Sequence, residues 1–348
     1  MAAPSITPTN AFTALAMQLK SEAVNRVSTS SEARAIMEGA IAKLGPQIAA
    51  ARAFIGTDCR LVLLPEYWLT GFPMGESLTE WGTKACLTMD DPIYETLGTI
   101  AQKQGIFLAG NAYELDLHFP NLYFQTCFVL DPSGDMVLRY RRINSMYAPT
   151  PHDVWDKYLD IYGIEGIFPV AKTAIGNLAA VASDEILFPE VARCLMLQGA
   201  EILLHPTSEV YSNARAPKEA AKVSRAVENM MYVVSANTAG IANTPILEAS
   251  VDGGSKIIDY RGIILAETGA GESMAAYGDI DLDALRRYRQ RPSIKNLLSR
   301  QRLDAYTTLY SQFSIYPANS MATGGVERSH FVTTQKTALE RLTQLGVI

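Results

Sequence analysis

The chain reads as an α/β protein built on buried sheets. Short apolar runs rich in Val, Ile, Leu and Phe recur between segments of helical character, among them RLVLLP, GIFLAGNAY, YFQTCFVL, NLAAVAS, AEILLHP and MYVVSANT. Runs of that length and β-branched content are what strands covered on both faces require. The composition agrees: 48% apolar, 19% charged and 9% aromatic residues over 348 positions describe a packed globule with ample core.

In chain order, AFTALAMQL opens as a strand and a helix follows over Ser31 to Ile55, with Ile36, Ala40, Ile41, Leu44 and Ile48 at helical spacing. Gly45-Pro46 should kink or divide that helix. Asp131-Pro132-Ser133-Gly134-Asp135 carries the Pro and Gly of a tight turn between two β-like runs, and Asp259-Tyr260-Arg261-Gly262 marks a second hairpin after SKIID. LVLLPE and EILLHP end alike, which suggests a pseudo-symmetric two-layer body without being a repeat. No linker interrupts the chain before residue 285. Beyond it RRYRQRPSIKNLLSRQR holds seven basic residues and no acid, read as a solvated face or intersubunit contact. The final helical segment brings Leu339, Leu342 and Leu345 near one face, a pattern suited to docking on a partner subunit.

Thirty Lys and Arg against 36 Asp and Glu leave a net charge of −6, which argues against a nucleic-acid partner. The four cysteines, Cys59, Cys86, Cys127 and Cys194, form no CxxC pair, so neither a disulfide framework nor a zinc site is expected. The opening residues lack a basic segment leading into a continuous apolar one, and no apolar stretch approaches a membrane span. A cytoplasmic protein with no membrane partner is the expectation.

Three polar residues stand at or just past the ends of buried β runs: Glu66 in LVLLPEYWLTGFP, Arg142 in LRYRRIN and Ser183 in NLAAVASDEILFPE. Strand ends are where a rigid scaffold presents reactive groups. An acid directly after LVLLP is costly to bury without a partner, and Arg142 would supply one whether or not chemistry follows. Ser183 reads equally as a nucleophile or as a small residue in a tight turn. His205 and His152 are read first as structural and loop histidines, and Asp184 and Glu185 as groups that bond backbone at the next helix start. Tyr67, Trp68, Trp155 and Tyr158 are core residues by default that could line a pocket. Cys194 and Cys59 lie too far along the chain from Ser183 and Glu66 to replace the hydroxyl.

These contexts resemble the nitrilase superfamily of carbon-nitrogen hydrolases. PEYWLTGFP, LDPSGDMVLRYRRIN and ASDEILFPEVARCLMLQGAEILLHP are similar to the three segments carrying that family's Glu-Lys-Cys triad, and SRAVENMMYVVSAN, GGSKIIDYRGIILAETG and DIDLDALRR to its later segments, over about residues 12 to 290. The resemblance implies a four-layer αββα sandwich with a hydrolase domain over 1–290 and a C-terminal arm over 291–348. It also implies a homodimer or higher homo-oligomer, a small-molecule substrate and no metal or organic cofactor. Glu66 matches the family glutamate, whereas the lysine position holds Arg142 and the cysteine position Ser183. A serine hydroxyl must lose its proton during attack, so Glu66 becomes the required base, and Arg142 can clamp charge but not trade protons. Substrate contacts are expected from Tyr67, Trp68, Asn144, Asp184 and His205. Asp153 stands in for the family's second carboxylate, and Glu228 is expected to orient the Glu66–Arg142 region. The function implied is hydrolysis of a non-peptide C–N bond, an amide before a nitrile; a non-catalytic member binding a ligand or partner is the alternative.

Overall fold

A computed structural model describes residues 10–210, 216–323 and 327–348. The opening residues read for a leader lie largely outside them. The elements run β1 (Ala11–Ala16), β2 (Ser21–Glu22), α1 (Ser30–Ile55), β3 (Cys59–Leu63), α2 (Leu78–Ala85), α3 (Pro92–Gln104), β4 (Phe107–Leu115), β5 (Tyr123–Leu130) and β6 (Met136–Arg141). There follow α4 (Trp155–Tyr162), β7 (Ala171–Thr173), β8 (Gly176–Ala180), α5 (Pro189–Leu197), β9 (Ile202–Thr207), α6 (Ala216–Asn229), β10 (Tyr232–Asn237) and β11 (Ile241–Ala242). The last are β12 (Lys256–Ile258), β13 (Ile264–Glu267), β14 (Tyr277–Asp281), α7 (Leu282–Gln290), α8 (Leu303–Tyr310) and α9 (Arg328–Gln344).

Two six-stranded mixed sheets result, ordered β14-β1-β3-β4-β5-β6 and β13-β12-β10-β9-β8-β7. The period-two rule sorts their side chains. Leu61 and Leu63 face the second sheet and join one core with Leu178, Ala180, Leu203 and Val233. Val62 and Leu64 face the other way and pack beneath α1 and α3 with Met37, Leu44, Ile48 and Leu97. Helices α5 and α6 cover the second sheet through Val191, Leu195, Ala221 and Ala226. The four layers are therefore helix, sheet, sheet, helix, as the resemblance implies.

Both expected hairpins form. Asp131 accepts the backbone N–H groups of Ser133 and Asp135 between β5 and β6, and Asp259 those of Arg261 and Ile263 between β12 and β13. The first turn is pressed against α3: a Cβ on Gly98 would sit 2.6 Å from the Gly134 carbonyl oxygen, so a glycine is needed there. The expected division of α1 does not occur. The helix starts on a Thr29–Glu32 capping box and runs unbroken through Pro46, whose ring lies on its exposed side while Leu44 and Ile48 stay buried.

The basic stretch after Leu285 is used within the chain. Arg286 pairs with Glu201 at 2.7 Å, and Arg289 donates to the carbonyls of Met230 and Ala200. The last helix packs differently from the leucine reading. It buries Phe331, Thr334 and Ala338, with Phe331 set among Phe119, Phe124 and Tyr158, and leaves Leu339 and Leu345 about half exposed. Among the described residues, no helix is long and apolar enough to cross a membrane.

Candidate active site

The ends of β3, β6, β8 and β9 converge. Past β3, Glu66 is fully buried and its N–H donates to the Thr207 carbonyl at the end of β9, 3.3 Å away, which ties the two sheets together at this point. Gln125 on β5 bridges the neighbouring charges. Its amide donates to Glu66 Oε1 at 2.5 Å, and its carbonyl accepts from Arg142 Nη1 at 2.7 Å. Arg142 Nη1 itself stands 3.8 Å from Glu66 Oε1, while its other arms reach the Asp184 carboxylate and the Asn144 carbonyl. Glu66 Oε2 is buried and takes no well-formed hydrogen bond among the described residues.

Ser183 follows β8 in the left-handed backbone region with φ +55°, and Tyr67, beside Glu66, does so with φ +61°. Neither is a glycine or asparagine, and such conformations persist only where the surroundings over-determine them. Two neighbours do so for Ser183. The buried Glu185 accepts the N–H groups of Ile143, Asn144 and Ala182, binding the turn after β6 to the turn after β8. His205 on β9 reaches the Ser183 carbonyl at 2.8 Å and the Ser235 hydroxyl at 2.9 Å. Because a carbonyl only accepts, His205 Nε2 carries the proton and Nδ1 accepts from Ser235.

Tyr67, Gln125, Arg142, Ser183 and Asp184 line a cavity of about 330 Å³ together with Lys218 and Arg328 among others, while Glu66 lies wholly buried against Gln125. Burial pushes the Glu66 carboxyl above the ordinary glutamate range, with Arg142, Lys218, Gln125 and the Ser183 hydroxyl pulling the other way. Burial likewise raises Glu185. Burial lowers His205 well below the usual histidine value, aided by Lys222, so the ring is neutral. A raised carboxylate near a hydroxyl on a left-handed backbone and a fixed guanidinium can accept a proton, present an alkoxide and hold an oxyanion.

The structure thus brings together Glu66, Arg142, Ser183, Tyr67 and Asp184. Other expected contacts are corrected. Trp68 is buried against Gly110 in the core beneath the helices, not in the cavity, because it faces the layer opposite to Glu66. Asn144 serves through its backbone and lines a larger neighbouring cleft. His205 is wholly buried behind Ser183 rather than facing substrate. Asp153 is consumed by Thr150 and by Ser320 of the C-terminal segment, so it supports no other carboxylate. Glu228 pairs with Arg225 one turn back on α6 and is part-exposed; Glu185 occupies the orienting place expected of it. His152 packs on Trp155 and Tyr316, and Tyr158 lies under Arg141. Burial raises the thiols of Cys59, to about 11, and of Cys86 and Cys127, and none of the four cysteines lines the cavity.

Gln125, Glu185 and Lys218 escape a reading of sequence for site residues. Gln125 left a signal, since with Thr126 it is one of two polar positions inside the otherwise apolar YFQTCFVL. Glu185 lay within the acidic pair already read as backbone-bonding. Lys218 left none: it stands on a helix remote in sequence from the other three.

Residues 15–290 match the carbon-nitrogen hydrolase family. The chain belongs to that family. It is 28% identical over 71% of its length to nitrilase homolog 2 of Dictyostelium discoideum, covering 72% of that protein. With the omega-amidase NIT2 of Mus musculus it shares 24% identity over 61% of its length and 74% of the relative. Among solved structures, Saccharomyces cerevisiae Nit3, of the nitrilase superfamily, superposes with a TM-score of 0.63 at 20% identity, over 83% of this chain and 96% of that one. Family membership makes the protein a carbon-nitrogen hydrolase.

Proposed function

We propose that the protein hydrolyses the amide C–N bond of a small molecule through an acyl intermediate on Ser183, with Glu66 as base and Arg142 as the clamp on developing negative charge. The observation that carries this reading is a wholly buried, proton-hungry Glu66 joined through Gln125 to Arg142, which shares one small cavity with a serine held at φ +55°. Glu66 takes the hydroxyl proton as Oγ attacks the carbonyl. Arg142, with the N–H after Ser183, steadies the tetrahedral oxyanion, and C–N cleavage leaves the acyl-serine that water then hydrolyses. The amidase names of several relatives favour an amide over a nitrile. The same reading takes the protein as a cytoplasmic homodimer or larger homo-oligomer with residues 291–348 as an arm; the half-exposed Leu339 of α9 and Leu345 just after it support a partner contact.

The test is a screen of short-chain and aryl amides, nitriles and esters with wild type, Ser183→Ala and Ser183→Cys, read by product and by intact mass. Expected are turnover of amides, an acyl mass on wild type, and neither with Ser183→Ala. Absence of adduct and turnover in both wild type and Ser183→Cys would sink the proposal. Ligand binding of equal strength in wild type and Ser183→Ala, without product, would point to a binding protein instead.

A further inference from the structure

Cleaving an amide requires a proton on the departing nitrogen, and Arg142 cannot release one because a guanidinium stays charged. The cavity contains a second cation that can. Lys218 sits in the first turn of α6 and lines the same wall as Ser183, Arg142 and Asp184. Lys222, one turn further and on the same helix face, is fully buried between Glu209 at 2.8 Å and Glu219 at 2.9 Å. That pair of carboxylates is thereby engaged by Lys222, and Lys218 is directed to the cavity. It lies within electrostatic reach of Glu66, each stabilising the charged form of the other.

We propose that Lys218 is the general acid of this site: an amine delivered from α6 that does what the arginine at the end of β6 cannot. The inference rests on the acyl-serine reading above. In acylation the Ser183 proton passes to Glu66, the Oγ–C bond forms, the C–N bond breaks, and the Lys218 ammonium protonates the leaving nitrogen. Protonated Glu66 then passes its proton to neutral Lys218, and the freed Glu66 carboxylate takes a proton from the attacking water as hydroxide adds to the acyl carbon and gives it to Ser183 as the ester breaks. The cycle consumes one water and restores both charges. Burial supports the assignment by lowering the lysine below its ordinary range, with Arg142 and Lys222 adding to the effect and Glu66 and Glu209 opposing it. Asp184 and Arg328 are the other charged groups on that cavity wall, and the Tyr67 and Tyr113 phenols there are kept neutral by burial.

The experiment compares wild type, Lys218→Met and Lys218→Arg on one amide and on the activated ester of the same acid, with kcat and KM followed across pH. Both variants should lose roughly a hundredfold or more of kcat on the amide and much less on the ester, whose leaving group needs no proton. The acidic limb set by Glu66 should move upward in Lys218→Met, where a neighbouring cation is gone, and stay in place in Lys218→Arg. Equal losses on amide and ester, or full amide activity in Lys218→Arg, would overturn the assignment, the latter reducing Lys218 to a fixed charge. Wild type without turnover on either substrate would instead defeat the acyl-serine reading itself.

Discussion

Arg141 and Arg142 are neighbours in sequence at the end of β6, and they point into opposite electrostatic worlds. Arg141 is saturated: Asp116 lies at 2.5 Å, Glu114 at 3.4 Å, and the rings of Phe124, Tyr158 and Tyr162 stack within 5.6 Å of its guanidinium. Arg142 is held off its carboxylate at 3.8 Å by the bridging Gln125, shares Asp184 with solvent, and faces a cavity. A closed ion cluster holds a fold together, while an incompletely compensated one keeps free energy available for a charge that arises only during reaction. Strand alternation produces the contrast, since adjacent residues must leave opposite faces.

The largest expected effect separates the two regions by activity. Glu66→Gln keeps the shape of the carboxylate and removes the proposed base, so amide turnover should fall by about 10⁴-fold, with the unfolding transition within a few degrees of wild type. Circular dichroism melts alongside product assays check both halves. A Glu66→Gln enzyme of near wild-type rate would dissolve the distinction drawn between the clusters.

Arg141→Met tests the other side. Removing one partner of a closed, buried cluster leaves Asp116 without its guanidinium and Glu114 with Arg139 alone, at a cost of about 3 to 5 kcal/mol in urea unfolding. Activity per folded molecule should stay within about threefold of wild type. Arg142→Met is predicted to reverse this pattern, losing roughly 10²-fold or more in kcat with a smaller stability change. If the two arginine variants proved alike in both measurements, their local environments would not be what divides their roles.

What sequence could show follows the same divide between local and spatial information. The sheets were legible because Leu61 to Leu64 alternate between two cores and because Asp131 and Asp259 carry their turns' hydrogen bonds locally. Glu66, Arg142 and Ser183 were legible because each ends a strand. Asp153 misled because its partner Ser320 lies 167 residues away, and Glu228 because its short range to Arg225 outweighed any longer reach. Lys218 was illegible for a related reason: only the packing of α6 on the second sheet sets which of its lysines meets Glu209 and which meets the cavity.

The smallest effect concerns the group behind the hydroxyl. His205 is fully buried between Ser183 and Ser235, and its folded-state pKa is depressed. Above about pH 6.5, the unperturbed histidine value, the ring is neutral in both folded and unfolded chains and its contribution to stability is intact. Below that value the unfolded chain takes up a proton that the folded one refuses, so stability is lost as pH falls, by up to about 1.4 kcal/mol per pH unit from this group. His205→Gln can still donate to the Ser183 carbonyl, so at pH 7.5 it should cost only about 1 to 2 kcal/mol, the scale of one imperfect buried hydrogen bond. Its stability should also decline less steeply between pH 6.5 and 5 than that of wild type. His152, similarly lowered by burial, is present in both proteins and cancels in the difference. Parallel slopes would mean that the ring behind Ser183 is protonated in the folded state. A charged imidazole there would place a third cation behind Ser183, and the contrast between the two arginines would no longer describe the field at the site.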